Sequence, residues 1–118
     1  MKNTSLEIRS KIWIQDDSGK IIFGLGRLKM LESIERTGSI QGAAKELGMS
    51  YQAVWGRIKA TEERLGESLL IRNIGGVQRG GSELTPFAKK LIHQFQELHE
   101  RIAQDSNELF ETVFNSEE

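Results

Sequence analysis

The densest run of side chains able to recognise another molecule lies at positions 50–59. Ser50, Tyr51, Gln52, Trp55, Arg57 and Lys59 bring hydroxyls, a carboxamide, an indole and two cations within three turns of chain. A Gln carboxamide pairs bidentately with adenine in the DNA major groove, and Arg or Lys with guanine. Residues near the N-terminus of a helix in that groove reach base edges. Ser50 and the helix-start amides behind it can also hold a phosphate. Trp55 has two readings, a contact to backbone or thymine methyl, or packing on the preceding helix. Ser39 opens that preceding helix and joins the set. Arg72, Gln78 and Arg79 follow in a Gly-rich stretch that suits phosphate contact. The plain alternative there is a surface loop with solvated arginines.

Catalysis has little to draw on. There is no cysteine, so disulfides, Cys-based zinc sites and thiol nucleophiles are excluded. The two histidines, His93 and His99, stand six apart and fall on different faces of a helix, so they cannot share a metal within one chain. His93, beside Leu91 and Phe95, reads as an interface histidine. No phosphate-binding loop, G-x-S-x-G or H-E-x-x-H occurs. The chain is read as a non-enzyme without cofactor or metal.

Those residues need elements to aim them. A helix-turn-helix requires two short helices that cross steeply, with small residues where they touch. Ala43 and Ala44 supply these. Gly48 tolerates the turn, Met49 plugs the core, Ser50 caps the recognition helix, and Val54 and Ile58 bury its inner face. An αα-hairpin without ligand is the alternative. The spacing predicts a first helix from Leu28 to Arg36, a second from Ile40 to Leu47 behind a Ser39 cap, and a third from Tyr51 to Leu65. In the third, Val54, Ile58, Thr61 and Leu65 share one face.

Around this core, Ile8, Ile12 and Ile14 alternate towards an Asp16-Asp17-Ser18-Gly19 turn and a return strand at Ile21–Phe23, which predicts an N-terminal hairpin over 6–24. The three-helix core occupies 26–65. Leu69, Leu70 and Ile71 read as a buried strand, returning at Ser82–Leu84, so 69–84 forms a wing. Thr85 caps and Pro86 opens a long helix over 86–114. Its apolar positions, including Phe95, Leu98, Ile102 and Leu109, run close to a heptad seam. That length exceeds what so small a body can cover, so part of the stripe is expected to pack against a second copy. The expected fold is mainly α with small β-hairpins (α+β), a single winged helix-turn-helix domain over 1–118 with a long C-terminal dimerisation helix.

The net charge of −1 hides an asymmetry: residues 1–90 carry fifteen Lys/Arg and ten Asp/Glu, residues 91–118 one and seven. A basic body with an acidic tail is compatible with DNA binding and does not establish it. No apolar run approaches the ~20 residues of a membrane span, and Met1–Arg9 lacks a signal-peptide core. A cytoplasmic location is expected.

Thr37-Gly38-Ser39-Ile40, Ala43-Ala44-Lys45, Leu47-Gly48-Met49-Ser50-Tyr51 and Trp55, with the preceding hairpin and Leu84-Thr85-Pro86, resemble the DNA-binding domain of ModE-type molybdate-responsive regulators over about residues 6–95. More loosely, the A-A-x-x-L-x-x-S core and Glu62-Glu63-Arg64-Leu65-Gly66 are similar to the winged helix of bacterial LysR-type regulators. The resemblance implies a homodimer built on the hairpin and the long helix, with Ser50, Tyr51, Gln52 and Trp55 facing the major groove. Gln52 stands where that family often has a basic residue. Molybdate-binding segments have no counterpart here, so molybdate sensing by this polypeptide is not expected. The expected function is sequence-specific binding of double-stranded DNA by a homodimer that regulates transcription. The alternatives are a winged-helix protein-interaction module and a DNA-binding subunit that needs a separate sensor partner.

Overall fold

The computed structural model describes residues 5–72 and 81–115. In chain order the elements are β1 (Trp13–Gln15), β2 (Ile21–Gly24), α1 (Leu25–Thr37), α2 (Ile40–Leu47), α3 (Tyr51–Leu65), β3 (Leu70–Arg72), β4 (Ser82–Leu84) and α4 (Pro86–Asn115). The fold is mainly α with two small antiparallel hairpins, β1–β2 and β3–β4. The helices α1, α2 and α3 pack on one another, β2 lies against α1 and α3, β4 lies against α1, and the first turns of α4 pack on β4 and on Phe23.

Local sequence explains most boundaries. Asp16 closes the first turn: its Oδ1 accepts from the amides of Ser18 and Lys20 at 2.9 Å each. The hairpin is shorter than 6–24. Pairing covers Trp13↔Gly24, Ile14↔Phe23 and Gln15↔Ile21, with a shift of register between Ile14 and Gln15. Residues 5–12 form no strand, and Leu6 and Ile8 are exposed. Their apolar alternation finds no partner strand to pair with.

The core gathers one face from each helix. Phe23, Leu31, Ile34, Ala43, Val54, Leu69 and Ala88 are fully buried. The Thr61 hydroxyl, also buried, donates to the Ile22 carbonyl at 2.6 Å and ties α3 to β2. Phe95 meets Phe23 edge to face, ring centres 5.3 Å apart, and anchors α4. Such a pair contributes about 0.5–1.5 kcal/mol beyond its buried area.

Three expectations change. Phe95 is 1% exposed and belongs to its own chain's core, which takes it out of the dimer seam. His93 is exposed in the single chain, as an interface residue would be, and the half-buried His99 stacks on Phe95. Leu65 lies beyond the point where α1 and β2 cover α3 and is exposed. Of Leu69, Leu70 and Ile71, only Leu69, just before β3, is fully buried, and Ile71 is exposed.

Candidate nucleic-acid interface

The turn between α2 and α3 fixes how the recognition surface is presented. Ser39 caps α2, its Oγ accepting from the Gly42 amide at 2.9 Å. Gly42 has to be small: a Cβ there would sit 2.8 Å from Thr37 Cβ and Oγ1. Gly48 ends α2 at φ +69°, in the left-handed region that a side chain disfavours. The Met49 amide donates back to Ala44 O at 2.9 Å, and the half-buried Met49 side chain closes the turn onto the core. Ser50 then caps α3, accepting from the Ala53 amide at 3.0 Å. Ser39 and Ser50 thus build the turn, with their hydroxyl protons still available to a phosphate.

On α3, Val54, Ile58 and Thr61 face inward. At about 3.6 residues per turn, Gln52 and Lys59 fall on the opposite arc, and both are exposed. Among the described residues Lys59 pairs with the half-buried Glu62 at a long 3.6 Å, and its side chain is half exposed to solvent. Tyr51 and Trp55, 43% and 41% exposed, lie on the flank towards β3. The Tyr51 hydroxyl accepts from Arg72 Nη2 at 3.2 Å. Trp55 lines a small groove with Ile40, Leu70 and Arg72. The indole thus has one edge on the body and the other in solvent.

Arg57 lies on the other flank, where its carbonyl accepts from Arg27 Nε at 3.4 Å. The structure thus brings Ser50, Gln52 and Lys59 together as the outward face, puts Tyr51, Trp55 and Arg72 on one side, and sets Arg57 apart on the other. Gln78 and Arg79 lie outside the described residues.

Three features were not foreseen. Glu62, in the last turns of α3, accepts from the amides of Leu69 at 2.8 Å and Leu70 at 3.3 Å and so fixes where the second hairpin leaves the helix. Its place in the Glu-x-x-Leu-Gly segment was visible; its task was not. Arg36 contacts Glu46 at 2.6 Å, and the buried Ser33 hydroxyl also donates to that carboxylate, which clamps α1 to α2. The Arg36 and Ser33 hydrogen bonds hold the Glu46 carboxyl below its ordinary range. Finally, Arg27 and Arg64 cluster with Arg57; burial, then the charges of Arg57 and Arg64, push the Arg27 guanidinium below its usual value.

Residues 25–89, from the start of α1 to the first turn of α4, match the family model described as the bacterial regulatory helix-turn-helix protein of the lysR family. The chain belongs to this family. Among curated relatives, the Molybdenum transport protein ModE of Azotobacter vinelandii is 39% identical over 72 residues, 61% of this chain and 27% of that one. The Transcriptional regulator ModE of Haemophilus influenzae is 34% identical over 101 residues, 86% of this chain and 37% of that one. The chain thus spans about a third of the length of these relatives. In fold it is similar to the CbnR DNA-binding domain solved with DNA, with a TM-score of 0.56 at 23% identity, covering 75% of this chain and 95% of that one. The BenM DNA-binding domain in complex with catB site 1 DNA gives 0.54 at 21%, covering 77% and 96%. This LysR-type member therefore carries the winged helix-turn-helix of a family of transcriptional regulators. No helix among the described residues is long and apolar enough to cross a membrane.

Proposed function

We propose that this chain is the DNA-binding part of a transcriptional regulator and acts on double-stranded DNA as a homodimer. The observation that carries this reading is the outward face of α3: Gln52 and Lys59 exposed on the arc opposite the core, behind the Ser50 cap, with Arg72 beside them on β3. Gln52 reads a base edge. Lys59 and Arg72 meet phosphates or guanine, and Ser39 and Ser50 direct their hydroxyls to the backbone. In a two-fold dimer two α3 helices enter successive major grooves, with half-sites roughly 34 Å apart or a multiple of that.

Support for the dimer comes from α4. Leu98, Ile102 and Leu109 share a face, and Leu98 and Leu109 are 43% and 64% exposed. Apolar side chains on a projecting helix gain about 25 cal/mol per Å² when a second copy covers them.

The test is capture of fragmented genomic DNA by purified protein at near-physiological salt. Enrichment of an imperfect palindrome is expected, and it is expected to be the same with and without molybdate. Absence of any enriched sequence would sink the reading and favour a protein partner. Enrichment only with molybdate would assign sensing to these residues.

A further inference from the structure

The surface on the far side of α3 from the second hairpin holds an apolar groove with a cationic rim. Ile12, Trp13, Ile21, Leu25 and Met30 form its walls, where β1, β2 and the first turns of α1 meet, and Lys11, Arg27 and Arg57 stand at its edge. The cavity measures about 330 Å³, within the ~300–1,000 Å³ range of small-molecule sites. Trp13 and Ile21 are 50% and 43% exposed, so their apolar faces lack cover from the chain itself. None of the three cations forms an ion pair among the described residues, whose three pairs lie at Arg36–Glu46, Lys59–Glu62 and Glu97–Arg101. Arg64, close behind, adds its positive charge to the rim.

From this juxtaposition we infer that the groove binds a small aromatic carboxylate, its ring on Trp13, Ile21 and Met30 and its carboxylate between Arg27 and Arg57. Like charges crowded around a dry wall repel one another, and an anion there relieves the repulsion while gaining charge-assisted hydrogen bonds. Burial first, and then the charges of Arg57 and Arg64, lower the proton affinity of Arg27. A guanidinium also presents a planar fork that matches a carboxylate bidentately. The acidic end of a second copy's α4 fits less well. Glu97, Glu100, Glu108 and Glu111 lie on the side of that helix opposite Ile102 and Leu109. A helix seated by its apolar face would point those carboxylates away from the rim. The groove asks for an apolar body and an anion on the same side, which a small molecule provides.

The experiment is a titration of the whole chain with naphthoate, without DNA, followed by proton–nitrogen correlation NMR. Its outcome is therefore independent of whether the chain binds DNA. The chain has two indoles, Trp13 and Trp55, so the Trp13→Phe variant assigns them. The expected result is a saturable shift of the Trp13 indole signal with Trp55 unmoved. Arg27→Gln should weaken binding about tenfold or more, the loss of one charged hydrogen bond, and Arg27→Lys should recover part of it. The neutral analogue naphthalenemethanol should bind at least about tenfold more weakly for the same reason. If Arg27→Gln disturbs the fold, the exposed Lys11→Gln serves in its place and should weaken binding in the same direction. No saturable shift at Trp13, equal affinity for acid and alcohol, or equal affinity of the variants would each overturn the assignment. So would a Trp13 signal that responds to protein dilution and not to naphthoate, the mark of a groove covered by a second copy.

Discussion

At the scale of single residues, the proposed function divides the interface into side chains assigned to read bases and side chains assigned to hold register. Gln52 stands alone on the outward arc as a neutral donor–acceptor, and Arg72 is steadied by Tyr51 at 3.2 Å. Gln52→Ala should therefore flatten preference at one base pair per half-site, a change of about 1–3 kcal/mol in discrimination. Arg72→Ala should weaken binding to every sequence alike and reduce the slope of log affinity against log salt by about one for each half-site. Binding-site selection and salt titrations with the two variants check this; a changed base preference in Arg72→Ala would move Arg72 into the reading set. A second residue-scale consequence belongs to Glu46. Its folded pKa is depressed, first by Arg36 and then by Ser33, so its contribution to stability is present above the unfolded pKa and is lost as pH falls through the folded one. Glu46→Gln should be less stable than the wild type at neutral pH, and the gap should close in the acid range below the ordinary glutamate pKa of about 4.3. Urea melts at neutral pH and near pH 3 measure it; a gap that persists in acid would mean packing, not charge, joins α1 to α2.

At the scale of elements, the sequence was most informative where turn chemistry is local. The α2 and α3 spans and both serine caps follow from residues within four positions of each boundary, because a cap and a left-handed glycine act on the nearest amides and carbonyls. Longer-range facts were invisible for a physical reason. Periodicity names the inner face of a helix but not how far its neighbour extends, which is why Leu65 shares a face with Ile58 and is still exposed. The alternation of Ile8 and Ile12 is compatible with a strand, but a strand also needs a partner in register, and β2 pairs only back to Trp13. The basic groove was missed for the same reason, since Lys11, Arg27 and Arg57 are far apart in sequence and adjacent only once β1, α1 and α3 are packed. Close packing at the α2 start yields a pair of opposite predictions. Gly42→Ala should destabilise by about 1–3 kcal/mol, because its Cβ has no room against Thr37. Gly56→Ala, on the open side of α3, should stabilise by roughly 0.5–1 kcal/mol, since nothing lies within 4 Å of the added carbon. Thermal or urea melts decide, and two shifts of the same sign would mean the α1–α2 contact gives way more easily than its geometry suggests.

At the scale of the whole molecule, the chain is too long for its mass. Its radius of gyration is 18.4 Å and its principal axis 67 Å, whereas a compact domain of this length would have a radius near 13–14 Å. The excess is α4, whose 30 residues make a rod of about 45 Å. The rod divides in two. Ala88, Ile92 and Phe95 are buried in the chain's own core, whereas Leu98 and Leu109 stay exposed on the same side of the helix. A heptad pattern in sequence runs through both halves without a break, so it could not say where the chain's own core stops and an outer seam begins. The division predicts different consequences along one stripe. Phe95→Ala should cost about 3–5 kcal/mol of folding stability, the penalty for an aromatic removed from a core. The double variant Ile102→Asp with Leu109→Asp should leave the fold of the body intact and yield a monomer by sedimentation. Its affinity for a palindromic site should fall about 100-fold or more, as two half-site contacts cease to be linked. If the double variant stayed dimeric, the interface would have to lie elsewhere, and the exposed apolar residues of the first hairpin, Trp13 and Ile14, would become its next location.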